Sequence, residues 1–138
     1  MTKSILAGVV GTAIMTAVMM IAPMMGMPKM SPPDMLAGML GVPVAAGWAM
    51  HFAIGIMFAF AYTYLFSKVN IGNIWLKGAA FGIAAFVAAQ IGMEVMGMMM
   101  PMPEMQGSMV LTAIGSLIGH IVFGIAVAKV AGGNPLAA

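Results

Sequence analysis

Four stretches of the chain, Ile5 to Met24, Val44 to Phe66, Ile74 to Met96 and Met109 to Val130, are apolar almost throughout. Each is about 20 residues long, enough to cross a hydrocarbon core ~30 Å thick at 1.5 Å per helical residue. Unbroken apolar runs of that length predict spanning helices, which satisfy every backbone donor and acceptor within the segment. The pattern therefore predicts an all-α, four-transmembrane-helix bundle, a single membrane domain over residues 1–138. Lys3 ahead of the first run resembles the start of a secretory leader. The run is long and lacks a small-residue cleavage pattern, so it is read as a retained span.

The connections are uneven. Ser31-Pro32-Pro33-Asp34 ahead of Met35 to Leu40 predicts an interfacial helix of about two turns, with Ser31 as cap, Pro32 in the first turn and Asp34 at the positive helix end. Met100-Pro101-Met102-Pro103 is broken by proline and predicted to be extended, and Gly132-Gly133-Asn134-Pro135 ends the last helix in a loose tail. Lys3, Lys68, Lys77 and Lys129 fall on one side of the membrane and only Lys29 on the other, which predicts cytoplasmic termini. The loops carrying Asp34 and Glu104 then face outward.

The second half echoes the first at an offset near 70 residues. Leu6 and Gly8 match Leu76 and Gly78, Met25-Gly26-Met27 matches Met96-Gly97-Met98, Pro33-Asp34-Met35 matches Pro103-Glu104-Met105, and His51 with Gly55 matches His120 with Gly124. Two tandem helical hairpins are expected, about 1–68 and 69–138. Each has an even number of spans, so they insert the same way up, related by a parallel pseudo-twofold that sets the histidines across the axis from each other.

Those histidines, the only 2 in the chain, sit on ridges of small residues: Gly47, His51, Gly55, Ala59 and Ser116, His120, Gly124, Ala128. A small-residue ridge is where helices approach closely, and an ionisable residue inside a span marks a candidate site. Three chemistries stay open. His51 and His120 can be axial ligands of a haem b, with glycine one turn away making room for the porphyrin. The propionates would find few partners beyond Lys29 and the Trp48 indole. The rings can bind another metal or a proton. They can also be neutral and hydrogen-bonded to a carbonyl or hydroxyl of the bundle.

Methionine is the second signal. Of 20 methionines, eight fall between Met19 and Met39 and eight between Met93 and Met109, both windows on the outward side. Thioethers suit Cu(I), and Met24, Met25, Met27 with Met98, Met99, Met100, Met102 are the candidate ligands. Methionine is also a flexible apolar filler. The third signal is Gln90 and Glu94, one turn apart near the outward end of the third span, which could form a relay or cation gate with His51. Gly78 and Gly82, and more weakly Gly8 and Thr12, mark tight helix packing.

Composition narrows the classes. A chain 63% hydrophobic and 6% charged, with mean hydropathy +1.11, cannot clothe a water-soluble surface. Five lysines, no arginine and net +2 leave no footprint for nucleic acid. The absence of cysteine removes disulfides and thiolate metal sites. No triad, phosphate loop, paired carboxylates or His-Glu-x-x-His is present, so no enzyme is expected.

Trp48-Ala49-Met50-His51-Phe52-Ala53-Ile54-Gly55, Lys77-Gly78-Ala79-Ala80-Phe81-Gly82 and His120-Ile121-Val122-Phe123-Gly124 resemble the motifs of a group of small uncharacterised bacterial four-span membrane proteins. The resemblance implies a bacterial inner-membrane location and no particular activity; the methionine-laden outward loops depart from it. The sequence thus points to a small non-catalytic subunit or accessory protein of a larger membrane assembly, redox-linked assemblies included. Its expected partners are the lipid bilayer and other membrane subunits or a second copy. Cu(I) handling and a bis-histidine haem b carrier are the alternatives.

Overall fold

A computed structural model describes residues 1–100 and 107–132, and the chain is helical with no strand among them. The helices are α1 (Thr2–Ile21), α2 (Pro32–Leu40), α3 (Val44–Tyr64), α4 (Ile74–Met99) and α5 (Met109–Ala131), with 3-10 turns at Ala22–Met25 and Phe66–Lys68. Four of them, α1, α3, α4 and α5, are long and apolar enough to cross a membrane. The expected boundaries hold within about three residues. Pro23 has no N–H to continue α1, and the chain tightens into the first 3-10 turn there. The Pro101–Pro103 segment and the tail after Gly132 lie outside the described residues.

The short helix α2 begins at Ser31 and ends at Gly41, whose φ of 63° is the left-handed conformation that glycine adopts without penalty. The Ser31 side chain makes no capping hydrogen bond, contrary to expectation. Pro32 and Pro33 occupy the first two helical positions, so one of the amides a cap would receive does not exist. The Met35 amide instead donates to the Ser31 carbonyl at 3.0 Å.

Which helices meet is decided by glycine. A Cβ at Gly8 would stand 2.5 Å from the Ile56 Cα, and one at Gly78 would stand 2.6 Å from the Ile125 Cα. The α1–α3 and α4–α5 pairs therefore cross backbone against backbone. At both crossings the neighbouring glycine of the partner, Gly55 or Gly124, presents its carbonyl. Between the hairpins, α1 packs on α5, with Gly11 beneath Phe123 and Val127. The resulting order is α3, α1, α5, α4. Helix α2 lies along α3, where Gly47 abuts the Pro33 carbonyl.

Helices α3 and α4 are not among the closely packed pairs of the described residues, and meet through rings at the end holding the termini. There Phe81 stands edge-on to Tyr62 at 5.1 Å between centroids and close to Phe66 at 5.4 Å. The Tyr62 hydroxyl donates to the Gly132 carbonyl at 3.2 Å, and Ser4 and Thr63 share a hydrogen bond of 3.0 Å. The buried Lys77 ammonium donates to the Ser67 carbonyl at 2.6 Å, a cation placed where α3 runs out and its carbonyls lack partners. Lys129 lies over the Trp75 ring, 3.9 Å from its centroid. This terminus end is cross-braced, whereas the α2 end is built of loops and methionines.

A side chain at a backbone contact has nowhere to go. Gly82→Ala would place a methyl 2.6 Å from the Ile121 Cα and against the His120 carbonyl. It should cost about 1–3 kcal/mol, read as a lowered midpoint of thermal unfolding in detergent. Gly92 on the same helix has open space around it, so Gly92→Ala should not lower the midpoint. Equal midpoints for the two variants would contradict the backbone contact.

Candidate functional site: the histidine pair

Both small-residue ridges face inward. Gly47, His51, Gly55 and Ala59 of α3 are all buried, as are His120, Gly124 and Ala128 of α5, and the histidines are 7% and 9% exposed. The glycine crossings set this. Gly8 on Ile56 fixes the rotation of α3 against α1, and Thr16, two turns along α1 from Gly8, stands opposite His51.

The Thr16 hydroxyl donates its only proton to the Thr12 carbonyl at 2.7 Å. Its contact of 3.0 Å with His51 Nε2 must then run the other way, with Nε2–H donating to Thr16 Oγ1. His120 Nδ1 lies 2.8 Å from the Ser116 carbonyl, which can only accept, so that ring carries its proton on Nδ1. Ser116 Oγ is a more distant neighbour at 3.5 Å. The two rings are thus held through opposite nitrogens, Nε2 of His51 and Nδ1 of His120. Phe86 stands edge-on to His120 at 5.7 Å, and Phe52, itself stacked on Trp48, edge-on to His51 at 6.2 Å.

Each ring spends one nitrogen within the protein, His51 across to α1 and His120 on its own helix. Among the described residues, His51 Nδ1 and His120 Nε2 make no hydrogen bond. That pair of lone pairs can take a proton or a soft ion. It is a poor fit to axial haem ligation, since His51 Nε2 is held by Thr16 and the α4–α5 backbones are in contact at His120. Among the described residues no three His, Asp or Glu side chains gather into a metal cluster.

A cavity of about 390 Å³ opens at the α2 end. Lys29, Asp34 and Trp48 line it together with Met19, Met20 and Met30, and it reaches Thr16, the residue bonded to His51. The candidate copper ligands divide. Met24 and Met25 are 86% and 82% exposed on their 3-10 turn, and Met98 and Met99 are 84% and 78% exposed at the end of α4. Met100 is half-buried just past α4, and Met102 lies outside the described residues. Met27 alone of the first set turns inward. Its methyl and that of Met30 rest on Gly115, while Met15 and Met19 cover Gly119 one turn along α5. The thioethers that converge are thus partly those that sequence reading passed over. Their signal was the Gly115-x-x-x-Gly119 spacing, a bare strip on which long side chains can settle.

Gln90 and Glu94 do not join the histidines. Both are exposed on α4 and have no hydrogen bond to either ring, because α4 turns its Gly78, Gly82 and Ala85 face to the bundle. The expected relay with His51 is not formed. Thr12 and Thr16 were the missed members of the site: polar residues at i, i+4 spacing inside the first span, both buried. Among the described residues Thr12 Oγ1 has no hydrogen-bond partner, and it presses against Gly55, whose Cα–H is the available weak donor.

No curated protein and no solved structure matches this chain. A family model does, over residues 1–133, nearly the whole length and all four spans. The chain belongs to the family of unknown function DUF6789.

Proposed function

We propose that this protein is a small non-catalytic subunit or accessory component of a larger membrane assembly, held in a bacterial inner membrane with both termini cytoplasmic. The observation that supports it best is the use to which the histidines are put. His51 is tied across to Thr16 Oγ1 of α1 and His120 back to the Ser116 carbonyl of its own helix, so each of these reactive side chains has one nitrogen taken up by the protein itself. The lysines support the orientation: Lys68, Lys77 and Lys129 gather at the terminus end. The corresponding contacts of Gly8 on Ile56 and Gly78 on Ile125 support a duplicated hairpin as the origin of the fold. In native membranes solubilised in a mild detergent, the tagged chain should migrate on native gels well above the size of one chain in its micelle. A chain that runs alone as a monomer with stoichiometric bound metal would contradict the subunit reading.

One observation favours Cu(I) handling as a second reading: Met15, Met19, Met27 and Met30 gather over Gly115 and Gly119, and Met19 and Met30 also line the cavity that reaches Thr16. This moves the candidate ligands inward from Met24, Met25, Met98 and Met99. Under this reading, Met19→Leu with Met30→Leu should weaken Ag(I) or Cu(I) binding at least tenfold in a competition titration. Met24→Leu with Met25→Leu should not. Equal affinity in both double variants would remove the inner cluster.

A further inference from the structure

Several polar side chains inside the four spans are turned inward: Thr12, Thr16, His51, Thr63 and His120 are all 9% exposed or less. Ser116 is half-buried, and Gln90 is exposed. It lies 16 residues after the start of α4, about 24 Å along a helix crossing a core ~30 Å thick, so its amide is within the hydrocarbon near the far boundary. There it is exposed on the bundle's outside. A primary amide facing lipid has lost water on two donors and an acceptor with nothing in return, and membrane helices relieve that by hydrogen-bonding across to another helix.

The residues around it say what kind of helix that is. Ile83, Val87, Gln90 and Glu94 follow a 4-3-4 spacing, the seam of a left-handed helix pair. All four are exposed, Ile83 at 47% and Val87 at 49%, and Leu76 extends the seam one heptad back at 62%. Short of Glu94 at the boundary the seam is apolar but for Gln90, and a single polar residue in an apolar seam is the pattern that fixes register. Every copy of the chain enters the membrane the same way up, so a twofold along the membrane normal sets each residue of this seam against itself. An amide suits that symmetry, because it both donates and accepts. Glu94 lies about 30 Å along α4, at the boundary, where its carboxylate keeps interfacial water.

From this we propose that α4 is the self-association face of the protein: two copies pair through Ile83, Val87 and Gln90, with the Gln90 amides hydrogen-bonded to each other across the twofold. The inference rests on the subunit reading above and names one partner, a second copy.

The chain has no cysteine, so one introduced thiol reports one position. Full-length Val87→Cys, reconstituted alone in liposomes and oxidised with diamide, should form a disulfide-linked dimer. Ala13→Cys, on the exposed side of α1, should not. Adding Gln90→Leu to Val87→Cys should weaken dimerisation about three- to twentyfold in a dilution series of protein in lipid. Because Gln90 is exposed and makes no hydrogen bond among the described residues, the unfolding midpoint of the monomer should be unchanged. Cross-linking of Val87→Cys no better than that of Ala13→Cys would overturn the inference, as would dimerisation indifferent to Gln90→Leu. If Val87→Cys links only to a different protein in native membranes and never to itself, the self-pairing fails while the subunit reading stands.

Discussion

Backbone contact at two glycine crossings is the constraint from which the rest of this bundle follows. In lipid, burying one more leucine against another helix gains little over leaving it in the bilayer, so helices are selected by how closely they fit. Gly8 against Ile56 and Gly78 against Ile125 are contacts that no side chain survives. They fix the rotation of α3 and α5 about their axes, and the histidines follow from that rotation. Thr16 meets His51 because it lies two turns from Gly8 on the same face of α1. Gly11 then admits Phe123 and Val127 between the hairpins, and the rings of Tyr62, Phe66 and Phe81 close the terminus end.

Length and apolarity made the four spans legible, and Ser31-Pro32-Pro33-Asp34 announced α2. The i+4 ridges through His51 and His120 were equally legible, because small residues in register signal contact whatever the partner. The partner itself was not. Helices α1, α3 and α4 carry apolar residues on every side, so hydropathy does not tell which face looks inward, and α1–α5 as the central pair emerges only from packing. The same gap put Gln90 and Glu94 beside His51 in expectation, whereas the glycine face of α4 turns them outward. Methionine misled for a related reason: density along the chain singled out Met24 and Met25, but convergence depends on the bare strip of Gly115 and Gly119.

The two ends of the bundle divide the work. The terminus end is held by ring contacts, the Lys77 ammonium on the Ser67 carbonyl and Lys129 over Trp75. The α2 end holds a cavity lined by thioethers and reaching the Thr16–His51 hydrogen bond. Outside both, α4 carries an amide into the lipid. The proposed self-association takes that exposed amide, rather than the inner polar groups, as the point at which the protein is joined to another copy.

The central claim is that the histidines are held through opposite nitrogens, His51 through Nε2 to Thr16 and His120 through Nδ1 to the Ser116 carbonyl. Nitrogen-15 magnetic resonance of histidine-labelled protein in lipid bilayers tests it directly, since only 2 histidines contribute. At neutral pH the account predicts one ring protonated on Nε2, shifting when Thr16 is replaced by valine, and one protonated on Nδ1, unaffected by that change. Two rings protonated on the same nitrogen alone, or a ring with both nitrogens lacking a proton as in a metal-bridged imidazolate, would contradict it.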